Sequence, residues 1–150
     1  MKAASKFLLS VFVIAFFAAM TATAQPGPGE HPAYLHALSD LRTARAHLQR
    51  PDGGELREQE KKAIHELSDA IDAIKKAAID DGKDLNYQPP VDAHMDWPGR
   101  LHRALELINK AHNDISREED NRFAQGLQGR ALEHIDKARH HVEEAIELTR

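Results

Sequence analysis

The sequence predicts an all-α fold, an up-down-up-down four-helix bundle built from two duplicated α-hairpins. Three observations carry this. First, four stretches share one apolar code: an Ala-apolar pair, then apolar, Ala and apolar residues at steps of three, three and four. It reads Ala37-Leu38, Leu41, Ala44, Leu48; Ala63-Ile64, Leu67, Ala70, Ile74; Ala104-Leu105, Ile108, Ala111, Ile115; and Ala131-Leu132, Ile135, Ala138, Val142. Such steps keep the residues on one helical face, and four such faces bury one another in a bundle. Second, the code recurs from Ala37 to Ala104 and from Ala63 to Ala131, and the two steps differ by a single position. Residues 63–77 align with 131–145 without a gap. Third, Pro, Gly and capping residues cut the chain into four helix-length pieces.

The elements follow in order. Residues 1–24 have the make-up of a signal peptide: Lys2 and Lys6, an apolar run from Phe7 to Met20, and the small residues Ala22-Thr23-Ala24 before Gln25. The apolar run is short for a membrane span, so the expectation is export to a periplasm or the exterior, with no membrane contact after cleavage. Residues 25–33, rich in Pro and Gly, read as a flexible tether, and 34–150 as the bundle domain. The first helix spans about 34–50 and is stopped by Pro51. Asp52-Gly53-Gly54 turns the chain, and Asp52 with Glu55 resembles a cap for a second helix over about 53–80. Gly82 marks its end. Residues 83–96 form the longest connection, with Pro89-Pro90 and the apolar anchors Tyr87 and Trp97. Asp96 is placed to cap a third helix over 97–115, with Pro98 in its first turn. Ser116 to Glu119 is a capping-box pattern that starts a fourth helix over about 117–148; Gly126 and Gly129 within it are candidate sites of a bend or a break, which leaves its start open.

Composition excludes more than it assigns. Loss of residues 1–24 removes two lysines and no acid, leaving 18 basic against 24 acidic residues. A net negative chain offers no stripe for nucleic acid and no attraction to an anionic membrane. Cysteine is absent, which rules out thiolate metal sites, iron–sulfur clusters, c-type haem attachment and a thiol nucleophile. Neither Glu-x-x-His nor His-Glu-x-x-His occurs, and no nucleophile sits in a recognisable turn, so an enzyme is not expected.

Ten histidines are the unusual feature, and all follow the cleavage site. Four of them precede an acid by four residues, at His36/Asp40, His65/Asp69, His102/Glu106 and His140/Glu144. At that spacing the two side chains meet on one face, either as a solvated pair or as partners on a divalent metal. With the repeated Ala at heptad position d, His47, His134 and His141 fall at g and His112 at e, beside the buried seam. In an antiparallel pairing of the first and fourth helices His47 lies level with His134, and His141 lies near Asp40. His47, His134, His141 and Asp40 are therefore the leading metal-ligand candidates, with His140 and His112 next. Imidazole suits Cu, Ni or Zn.

The segment Ala131-Leu-Glu-His134-Ile-Asp-Lys-Ala138-Arg-His140-His141-Val-Glu-Glu-Ala145 resembles the helices of the small metal-binding protein family. The shared elements are the export signal, the lack of cysteine, the Ala/apolar heptads and the seven-residue recurrence of histidine at His134 and His141. The resemblance implies an exported helical bundle that binds copper and other divalent metals. It is close in the fourth helix; elsewhere the corresponding positions hold Asp40, Glu66, Ala73, Leu107 and Asp114, with His47 the other match. Two further functions fit the pattern. One is a ligand-free structural or interaction module, with an unidentified protein partner at the Tyr87–Trp97 loop; separately, apolar surface left on the second and fourth helices by Leu56, Phe123 and Leu127 would allow dimerisation. The other is b-type haem held by His47 and His134 or a similar pair.

Overall fold

The computed structural model describes residues 32–49, 57–77, 90–91, 94–117 and 122–150. Among these residues lie four helices and no strand: α1 (Pro32–Leu48), α2 (Glu58–Ala77), α3 (Trp97–Ile115) and α4 (Arg122–Glu147). The expected signal segment, most of the tether, the Asp52–Gly54 turn with Glu55 and Leu56, Gly82, Tyr87, Pro89 and Glu119 lie outside the described residues, as does the side chain of Phe123.

Capping follows the sequence reading at the start of α3 and departs from it at Ser116, while the expected Asp52/Glu55 cap lies outside the described residues. α2 is capped within its own first turn. The Glu60 carboxylate accepts the N–H of Arg57 at 2.7 Å, the reciprocal half of a capping box. For α3 the expectation holds. Asp96 Oδ1 accepts the Gly99 N–H at 3.0 Å and Pro98 stands in the first turn. Gly99 is needed for this close approach, since a Cβ there would collide with Asp96 Oδ1. Asp96→Ala should therefore cost about 1 kcal/mol in urea unfolding. An unchanged midpoint would show that the cap carries no stability.

Ser116 does not open the fourth helix. It closes α3, its hydroxyl and its N–H both donating to His112 O at 2.6 and 2.9 Å. Gln128 then reaches back from α4, its amide donating to Ile115 O and Arg117 O at 2.6 Å each, so carbonyls at the end of α3 are satisfied by a neighbouring helix. α4 continues without a break through Gly126 and Gly129. A Cβ at either would meet nothing within 4 Å. These glycines cost the helix backbone entropy with no packing return. Replacing both by Ala should stabilise the protein by about 1–2 kcal/mol in total and raise Tm. A lower Tm would mean that the helix needs freedom there.

The repeated code is the core. Every Ala in it is at most 1% exposed, as are Leu41, Leu48, Leu67, Ile74, Ile108, Ile115, Ile135 and Val142. In the pair position Leu38 is buried, whereas Ile64, Leu105 and Leu132 are half-buried at the rim of the core, where Trp97 packs too. Leu127, expected as a candidate for exposed apolar surface, is buried. The small Ala side chains let helix backbones approach closely along the seams.

Helix order around the bundle differs from up-down-up-down. The most extensive interfaces are α2 with α4 and α1 with α3, completed by α3 with α4 and α1 with α2. Among the described residues α1 and α4 do not touch, and neither do α2 and α3; these are the diagonals. Glu66 meets His134 mid-helix, Lys76 faces Leu127, and Gln59 faces Glu147, so α2 and α4 are antiparallel. His112 meets Asp136 and Leu105 faces Ile146, so α3 and α4 are antiparallel as well. It follows that α2 and α3 run in the same direction. The expected alternation fails, and the length of the connection between them permits this. At about 3.3 Å per residue it has reach to spare for the roughly 30 Å length of α2.

A regularity links the two halves. Arg45 of α1 donates to Ser68 of α2 at 3.2 Å, and His112 of α3 lies 3.5 Å from Asp136 of α4. The step from Arg45 to His112 equals that from Ala37 to Ala104, and the step from Ser68 to Asp136 equals that from Ala63 to Ala131. Glu66 and His134 stand at this second step too, and here the two corresponding residues touch each other. The pattern is that of two helical hairpins facing one another across an approximate twofold axis near Glu66 and His134.

Candidate metal centre

The middle of the α2–α4 seam collects three possible ligands. Leu67, Ala70 and Ile135 point into the core, which leaves their neighbours Glu66, Asp69 and His134 at the seam edge. Glu66 and Asp69 are three apart on α2 and share a face. His134 reaches them from α4, with Nδ1 2.7 Å from Glu66 Oε2. One donor atom from each of the three lies within 4.8 Å of the others. The side chains of His134 and Glu66 are 26% and 19% exposed, which shields them partly while leaving a way in.

A nitrogen and a carboxylate oxygen at this separation need a proton between them. A cation bridging the same atoms would displace that proton. Tetrahedral coordination with bonds of about 2.1 Å sets ligand atoms about 3.4 Å apart, so the pair must open by less than about 1 Å to admit an ion.

Further charged groups surround the three. The exposed His65 Nε2 lies 3.6 Å from Asp69 Oδ2, beyond hydrogen-bond distance. Lys137 donates to Glu133 at 2.7 Å. That hydrogen bond raises the Lys137 ammonium above the usual lysine value, with further help from the charges of Glu133, Glu66 and Asp69. The same bond to Lys137 lowers the Glu133 carboxyl. The contribution of this exposed pair persists through neutral pH. It is lost on the alkaline side as Lys137 discharges and on the acid side as Glu133 takes up a proton. Beside the three ligands runs an open groove of about 420 Å³, walled by Asp69, Asp72 and Lys76 of α2 and by Leu127, Arg130 and His134 of α4.

Of the residues expected to bind metal, His134 is the one placed in this centre. The α1–α4 cluster does not form, because these helices are diagonal. His47 is buried on α1, and Asp40 pairs with Lys110 of α3 at 3.2 Å. His140 and His141 both approach Glu144 on their own helix, at 3.4 and 3.3 Å, and His112 faces Asp136. A haem site spanning His47 and His134 meets the same obstacle. Of the four spaced pairs, His65/Asp69 and His140/Glu144 close, while Asp40 goes to Lys110 and Glu106 to Arg103. Sequence reasoning missed Glu66 and Asp69 as partners of His134. The signal lay in the repeat itself, whose step from Ala63 to Ala131 sets Glu66 opposite His134 once the hairpins face each other.

No protein-family profile matches this chain, and no curated protein or solved structure was found to be similar to it.

Proposed function

We propose that this protein is an exported, non-enzymatic helical bundle that binds a divalent transition metal, Cu, Ni or Zn, between α2 and α4. The observation that carries this reading is the convergence of Glu66, Asp69 and His134 from two helices at one half-buried point. One imidazole and two carboxylates form a donor set for a borderline divalent ion, and their two negative charges balance its charge. Three protein ligands leave coordination positions open, which suits a buffering or carrier role in which metal must enter and leave. Lys2, Lys6, the Phe7–Met20 run and Ala22-Thr23-Ala24 support an extracytoplasmic location. The near-equal steps of the apolar code, Ala37 to Ala104 and Ala63 to Ala131, support descent of the two hairpins from one duplicated unit.

The test is to load the untagged protein separately with Cu(II), Ni(II) and Zn(II), dialyse exhaustively, and count retained metal by mass spectrometry. About one equivalent of a preferred metal is expected. Retention should fall on acidification, because protons compete with the ion for its ligands. No retained metal would end this reading and leave a ligand-free interaction module, whose unidentified protein partner would then be sought directly.

A further inference from the structure

We propose that the α2–α4 groove is a metal-gated receptor for a small oxyanion, a phosphate or a carboxylate, which binds the metal directly and is held by Lys76 and Arg130. This rests on the metal reading above. Asp69 and His134 belong both to the ligand set and to the groove wall, so open coordination positions of a bound ion face into the groove. Arg130 stands one helical turn from His134, and Lys76 two turns from Asp69, along the same walls. Both cations are exposed, and neither is held in an ion pair among the described residues. The nearby Lys137 is engaged with Glu133, a pair with no net charge.

Charge decides when an anion can enter. With His134 neutral, Glu66, Asp69 and Asp72 outweigh Lys76 and Arg130 by one negative charge, so the metal-free groove repels anions. A divalent ion turns that excess into one positive charge and adds a directional bond to oxygen. One oxygen of the anion ligates the metal, and another accepts from the guanidinium, whose fork suits either phosphate or carboxylate. Metal and anion are then linked, and each tightens the other by the same factor.

Equilibrium dialysis against Co(II), with free Co(II) measured outside the bag, tests this using inorganic phosphate and succinate as separate probes. Either probe should tighten Co(II) binding by at least about 5-fold. Which one acts identifies the ligand as a phosphate or a carboxylate. The double variant Lys76→Met, Arg130→Met should bind Co(II) alone at least as well as the parent and lose the response to anion. No tightening in the parent, or the same tightening in the variant, overturns the anion site while leaving the metal site standing. If the parent binds no Co(II) here and retains none of Cu(II), Ni(II) and Zn(II) in the loading test, the metal reading falls, and the anion site with it.

Discussion

His134→Gln is expected to lower metal retention by at least about 100-fold, since loss of a direct ligand should match or exceed the upper range seen for outer-shell partners. Among the described residues His134 is the one nitrogen donor of the candidate centre and the one member that α4 supplies. Glutamine keeps the polarity of the side chain and can still donate to Glu66, so the seam stays closed. Its amide is a poor ligand for a transition metal, and the remaining carboxylates come from one helix. Helix content and Tm should stay near those of the parent, which separates lost ligation from lost folding. His140→Gln, at an exposed position beside Glu144, serves as the control and should retain metal. Equal retention by both variants would move the site away from the α2–α4 seam.

Ile135→Ala should cost about 2–5 kcal/mol, and Ile135→Val about 0.5–1.5 kcal/mol. Ile135 is fully buried, next in sequence to His134 and close to the axis between the two hairpins. The buried alanines of the code, Ala70 and Ala138 among them, have no side-chain length with which to fill a void. Against a typical total of about 5–15 kcal/mol for a small domain, the Ala variant sits near the margin of folding. At roughly 4 °C per kcal/mol its Tm should fall by about 8–20 °C, and thermal unfolding by circular dichroism measures this. A fall of only about 1–2 °C would mean that the bundle can collapse around the gap.

The core was legible in the sequence, and the choice of neighbouring helices was not. Periodic Ala and apolar residues settle which face of each helix is buried, because apolar burial is the main driving force of folding and its spacing is local. Which helices become neighbours is a long-range choice: the long connection after α2 permits more than one arrangement, and no local pattern selects among them. Placing α4 beside α1 sent His134 toward His47, when its partner was Glu66 on α2. The caps show the same division. Asp96 was readable because its partner lies three residues on, whereas Gln128 closing the end of α3 is a contact between helices. Ser116 resembled the start of a helix because serine serves both ends, and the carbonyl of His112 claimed it first.

The meeting of Glu66 with His134 has a meaning for how such a bundle can be built. Two separate, identical hairpins associating about a twofold axis must place the same residue opposite itself. At this position that would set glutamate against glutamate, which repels, or imidazole against imidazole, which offers no charge to a cation. Joining two hairpins in one chain removes that obligation, because each hairpin can then carry its own residue at the shared position. An acid facing a base on the axis is available to two different hairpins and never to two identical ones. Cutting the chain in the long connection and mixing the halves would therefore have to give a heterodimer, since neither half can supply both members of the pair.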